Sequence, residues 1–121
     1  MPRVIHFEIP ADNPERAVTF YEKVFGWNIN KWEGPADYWL VMTGPDDVPG
    51  INGAIMRRVN RGTVTYALDV PSVDEFTQRI VEAGGSVITP KMPIPGIGWH
   101  AYCKDTEGNT FGIMEADPSA R

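Results

Sequence analysis

Residues 4–56 can be laid over residues 63–115, an offset of 59, and the two stretches keep one pattern. Phe7 falls on Tyr66, Ile9 on Leu68, Asn13 on Ser72, Ala17 on Phe76, Tyr21 on Ile80, Gly26 on Gly85 and Gly53 on Gly112. Few of these pairs are identical, so the repeat lies in residue character. Each half runs as an apolar strand, a capped amphipathic helix, a glycine and then three short strands. Neither half has enough strands to cover its own sheet. A duplicated unit of this kind implies a pseudo-twofold axis, a cleft between the halves, and positions that face each other across it.

The strand and helix signals follow from periodicity. In residues 3–9, Ile5, Phe7 and Ile9 alternate with His6 and Glu8, so the two sets occupy opposite faces of a strand. Asp12 or Asn13 can cap a helix that has Pro14 in its first turn, with Glu15 placed for a capping box. Ala17, Phe20, Tyr21 and Val24 recur at helical spacing and give it an apolar face, and Gly26 can end it in a left-handed conformation. Strands are expected at 27–32, 38–43 and 51–58. The second half repeats the plan with a strand at 63–70, a capping box of Ser72 and Glu75, and a helix face of Val73, Phe76, Ile80 and Ala83. Further strands are expected at 86–89, 97–103 and 110–115, the last two joined by the turn Glu107-Gly108-Asn109. The prolines and glycines cluster between these elements, at 34–35, 44–45, 49–50 and 90–98. The fold class expected is α+β: two tandem βαβββ modules, about 1–60 and about 61–116, followed by a polar C-terminal tail at 117–121. Together they would form a curved eight-stranded mixed sheet with the helices on its convex face.

Composition narrows the function. At 121 residues the chain suits one domain. A formal net charge of −5 argues against nucleic acid and anionic membranes as partners, since both need clustered Lys and Arg. Arg57, Arg58 and Arg61 are too few to reverse this. No apolar run approaches the ~20 residues of a membrane span, and the N-terminal residues do not read as a signal peptide. Cys103 is the only cysteine, so an internal disulfide is excluded, and the absence of a base partner by spacing marks a structural thiol. A cytoplasmic protein is expected.

The run His6-Phe-Glu-Ile-Pro-Ala-Asp-Asn-Pro-Glu-Arg-Ala-Val-Thr-Phe-Tyr-Glu-Lys-Val-Phe-Gly-Trp27 and the closing run Lys104-Asp-Thr-Glu-Gly-Asn-Thr-Phe-Gly-Ile-Met-Glu115 resemble the vicinal oxygen chelate superfamily, the glyoxalase, bleomycin-resistance and extradiol-dioxygenase group. The resemblance covers almost the whole chain. It implies the fold well and the reaction poorly, because that superfamily includes isomerases, lyases, dioxygenases and non-catalytic drug binders. It also implies a homodimer.

Metal-using members of that superfamily place His, Glu, His and Glu on four strands, leaving coordination positions open to a substrate's adjacent oxygens. The resemblance puts the first ligand at His6, 14 residues before Phe20. The repeat offset carries this position to Thr65. The last-strand carboxylate position falls on Gly112, and the offset carries that one back to Gly53. Only one of four ligands is present. Glu115 lies three residues from Gly112 and, by alternation, points away. The expectation is therefore no cofactor, with a divalent metal at a displaced site as the alternative. Gly53 and Gly112 either make room for a ligand or mark a bend in the sheet.

Two candidate constellations remain. His6 and Glu8 share one strand face and can act as a general acid–base pair or simply line a wet cleft. The aromatic residues Trp32, Tyr38, Trp39, Trp99 and Tyr102 fall on strands bordering the expected cavity, where they either stack on a small organic molecule or pack a core or dimer seam. His100 belongs with Gly98 and Tyr102 on one side of its strand, and Trp99 with Ala101 on the other, which leaves open the set that faces inward. The ligand-binding candidates are thus Trp39, Trp99, His100, Tyr102, Gly53 and Gly112, and the catalytic candidates His6 and Glu8. The expected function is binding of a small organic molecule in an aromatic-lined cavity without the usual metal site. The alternative is a superfamily enzyme, a lactoylglutathione lyase-like lyase, an isomerase or a dioxygenase, using His6 and Glu8.

Overall fold

The structure is a computed structural model that describes residues 2–121. Eleven elements follow in order: β1 (Val4–Ala11), α1 (Pro14–Phe25), β2 (Asn28–Lys31), β3 (Tyr38–Met42), β4 (Gly53–Arg57), β5 (Thr65–Asp69), α2 (Val73–Glu82), β6 (Ser86–Val87), β7 (Met92–Ile94), β8 (Gly98–Lys104) and β9 (Thr110–Ala116). The chain is α+β and divides into two compact units. The first is His6–Thr65; the second is Tyr66–Arg121 with the residues up to Ile5.

In the first unit the strand order is β2-β3-β4-β1. β2, β3 and β4 are antiparallel neighbours, and β4 runs parallel to β1 with Phe7 opposite Gly53 and Ile9 opposite Ile55. Asn13 caps α1 by accepting from the Arg16 backbone N–H, and Gly26 ends it at φ 71°. Asp12, the other cap candidate, pairs with Arg58 at 2.9 Å instead. The core consists of Ala11, Ile29, Trp39, Val41 and Ile55, with Phe7, Ile9, Ala17, Val18, Tyr21 and Trp27 packed against it. The helix face that packs is therefore turned from the one expected: Pro14, Ala17, Val18 and Tyr21 face inward, while Phe20 and Val24 are exposed. Stacking explains the turn. Trp27 lies flat on Tyr21, with ring centroids 4.9 Å apart and planes 3° apart, and holds that side of α1 down.

The second unit has the order β5-β9-β8-β6, with β7 also paired to β8. β5 and β9 are parallel, and the other pairs are antiparallel. Its core is Val70, Val73, Ala101, Cys103, Phe111 and Ile113, with Leu68, Phe76, Ile80 and Trp99 packed on it. Ser72 caps α2 by accepting from the Glu75 N–H. A second cap comes from Glu115, whose carboxylate accepts the Val73 N–H at 2.8 Å, so this side chain serves the N-terminus of α2. Strand β7 was not expected, because its sequence is rich in proline. Pro93 lies opposite Trp99 on a strand paired only to β8, where a missing N–H is tolerated. Residues 117–121 read as a polar tail, yet they are tied down: Ala120 is buried and accepts from Gly96 N–H, and Asp117 accepts from the Trp99 indole at 2.9 Å.

Two outcomes are expected of these cores. Ile55→Ala removes a fully buried side chain and should lower unfolding free energy by about 2–5 kcal/mol, read from urea denaturation followed by tryptophan fluorescence. Burial pushes the Cys103 thiol up from its ordinary range, so a thiol reagent should label it slowly in buffer and rapidly in denaturant; fast labelling of the native protein would contradict the packing.

Candidate functional site

Phe7 and Ile9 pack beneath α1, so alternation turns His6 and Glu8 to the other face of β1. There they meet a residue from β3. The Tyr38 hydroxyl donates to Glu8 Oε2 at 2.8 Å and stands 2.9 Å from His6 Nε2. His6 Nε2 and Glu8 Oε2 are 3.9 Å apart, with that hydroxyl bridging them. Thr65 adds a longer contact, its hydroxyl donating to Glu8 Oε1 at 3.4 Å. The row is partly sheltered, with 28% of the His6 side chain and 13% of the Glu8 side chain exposed.

The hydrogen bonds fix a tautomer. An ionised carboxylate only accepts, so the single phenolic proton goes to Glu8, and the phenol oxygen accepts from His6. Neutral His6 therefore carries its proton on Nε2. Burial disfavours the imidazolium and lowers the His6 pKa below its usual 6.5, with the charge of Glu8 opposing that shift.

Apolar side chains continue the same face of the first unit. Leu40 and Met42 follow Tyr38 by alternation on β3, and are 42% and 46% exposed. Ala54 and Met56 lie on the same side of β4, opposite Glu8 and Pro10. The Trp32 ring stands edge-on to Tyr38 at 6.1 Å. The result is a polar row beside an open apolar shelf.

Trp39 and Trp99 do not contribute to such a surface. Trp39 is a buried member of the first core, with Lys31 Nζ 5.5 Å above its ring. Trp99 packs on the second core, bonds Asp117 and has Lys91 above its ring at 4.8 Å. Both rings are taken up by their own unit. The parity left open on β8 is now settled: Trp99, Ala101 and Cys103 face the core, and Gly98, His100 and Tyr102 face the other way. His100 and Tyr102 meet edge-to-face at 5.7 Å.

Gly53 and Gly112 do not hold equivalent register positions in the two units, contrary to the repeat offset of 59. Ile9 opposes Ile55, and its counterpart Leu68 opposes Ile113. The offset is 68 − 9 = 59 on the first strands but 113 − 55 = 58 on the last. One residue is lost, which reverses the face. Gly112 therefore corresponds to Ala54, and Gly53 lies on the helix-facing side. A Cβ at Gly53 would collide with the Phe7 carbonyl and ring. Gly112 does lie on the face away from the core; a Cβ there would stand 3.3 Å from Ala67 Cβ and 3.6 Å from the Tyr102 ring. With this register, the ligand positions that the family resemblance implies read His6, Ala54, Thr65 and Gly112. That set does not match two imidazoles and two carboxylates, and among the described residues no three His, Cys, Asp or Glu side chains converge.

Residues 3–113 fit the model of the glyoxalase/bleomycin resistance protein/dioxygenase superfamily. The chain belongs to that superfamily. It is 31% identical over 114 residues to CFP32 of Mycobacterium tuberculosis, a protein named as a glyoxylase, covering 92% of this chain and 43% of that protein. This superfamily member thus spans less than half the length of that relative. A glyoxylase-like domain-containing protein of Didymella fabae is 26% identical over 112 residues, covering 88% of each chain. Among solved structures, methylmalonyl-CoA epimerase of Mycobacterium tuberculosis superposes with a TM-score of 0.72 at 12% identity, over 95% of this chain and 88% of the other. At that identity the likeness is one of fold.

The lowered His6 pKa gives a pH prediction with a definite sign. Below pH 6.5 the unfolded chain takes up a proton that folded His6 resists, so stability should fall as pH drops from about 7.5 to 5.5. The fall should be smaller in His6→Gln, measured by urea midpoint. In proton NMR, the His6 ring should titrate below 6.5; a midpoint above that value would contradict the burial argument.

Proposed function

We propose that the chain binds a small organic molecule on the sheet face of the first unit, without the superfamily's usual metal quartet. The observation that carries this reading is the His6–Tyr38–Glu8 row lying beside the exposed Leu40 and Met42 shelf. The row offers directional polar contacts, and the shelf offers apolar area, which is the division of labour found in small-molecule sites. A ligand with an aromatic or aliphatic body and one hydroxyl or carbonyl group suits it. The binding members of the superfamily support the reading by kinship, and the mismatch at Ala54, Thr65 and Gly112 supports its metal-free part.

Trp32 stands against Tyr38 and supplies a reporter. A panel of such ligands should change tryptophan fluorescence, Trp32→Phe should abolish the change, and Tyr38→Phe should weaken binding by about tenfold, the worth of one hydrogen bond to this row. No change across a broad panel would overturn the reading. Stoichiometric uptake of Ni, Zn, Mn or Fe that is lost in His6→Ala would overturn its metal-free part.

A second reading is favoured by the bridging hydroxyl. A carboxylate, a phenol and an imidazole in hydrogen-bond contact can take a proton at one point and return it at another. On this reading Glu8 accepts a proton from a carbon beside a substrate carbonyl, and Tyr38 and His6 hold Glu8 and relay the charge. Exchange of that carbon-bound hydrogen for deuterium, followed by NMR and lost in Glu8→Gln, would distinguish an enzyme from a binder.

A further inference from the structure

The second unit carries another row, on three adjacent strands. Met92 of β7 lies opposite His100 of β8, and His100 lies opposite Met114 of β9. The three side chains share a face, because directly opposed residues of antiparallel strands point the same way. That face is the one turned from the core: Ala101, Cys103, Phe111 and Ile113 occupy the other side of β8 and β9. All three residues are half-buried.

We propose that Met92, His100 and Met114 form a site for a soft monovalent metal ion, Cu(I). Two thioethers and one imidazole are uncharged soft or borderline donors, which suit Cu(I) and suit Zn, Mg or Ca poorly. The spacing is suitable. Opposed residues on neighbouring strands have Cβ atoms about 4.5–5.5 Å apart. The flexible methionine chains can close that distance from both sides onto a central imidazole without backbone movement. The Tyr102 ring meets His100 edge-to-face at 5.7 Å and orients it. An imidazole has two nitrogens, so one can ligate while the other keeps a hydrogen bond. The site uses none of the superfamily's ligand positions at His6, Ala54, Thr65 and Gly112, and it stands independently of the ligand reading for the first unit.

The test uses the full chain under anaerobic, reducing conditions, with bicinchoninate competing for Cu(I). The wild type should hold one Cu(I) per chain. The double variant Met92→Leu/Met114→Leu keeps volume and apolarity, so it should fold and melt as the wild type does. It should bind Cu(I) at least about a hundredfold more weakly, taking roughly tenfold per lost ligand. X-ray absorption of the loaded wild type should show both sulfur and nitrogen scatterers, which keeps the site testable if a variant misfolds. The proposal is overturned by equal Cu(I) retention in the wild type and the double variant, by scattering from nitrogen and oxygen alone, or by copper that is lost in His6→Ala and kept in the double variant.

Discussion

The packing of Phe7 and Ile9 beneath α1 is the constraint on which the first unit's chemistry depends. A strand presents alternate side chains to opposite faces. Once these two are held in the core with Ile55 and Trp39, His6 and Glu8 have no choice of side. The stack of Trp27 on Tyr21 presses α1 onto that layer. Register then brings β4 beside β1 and β3 beside β4, from which the Tyr38 side chain reaches the gap between imidazole and carboxylate. The row is thus set up by hydrophobic packing on the far side of the sheet.

The same logic explains why several polar and aromatic side chains are unavailable to a ligand. Glu115 shares parity with the core residues Phe111 and Ile113, and its carboxylate accepts the first N–H of α2. Trp39 and Trp99 share parity with Val41 and Ala101, so their area goes into the two cores. Aromatic rings bury large apolar areas, and at these two positions that area stabilises the cores.

Much of the architecture was legible in the chain alone. Both helices, a first cap at Asp12 or Asn13, the second cap at Ser72, and the opposed faces of β1 followed from periodicity and capping chemistry, and the structure selects Asn13 for the first. Those signals are local. The bridge by Tyr38 was not legible, because it joins residues 30 and 32 positions apart through two strand pairings. The slip of the repeat from 59 to 58 was not legible either. A one-residue change hidden in the connecting loops leaves the apolar pattern intact while reversing the face, which moved Gly53 to the helix side and put Ala54 in its place. Strand β7 was not legible in the sequence, because proline is a turn signal except on a singly paired strand.

By itself, then, the sequence determined the family and the duplicated strand-helix plan, since these rest on residue identity and short-range spacing. Only the tertiary structure decided that Tyr38 joins His6 to Glu8, that Trp39 and Trp99 belong to the cores, and that Met92, His100 and Met114 stand in one row. The physical reason is that strand register is set by packing and hydrogen bonding between segments distant in the chain, and a step of one residue in register exchanges one face of a sheet for the other.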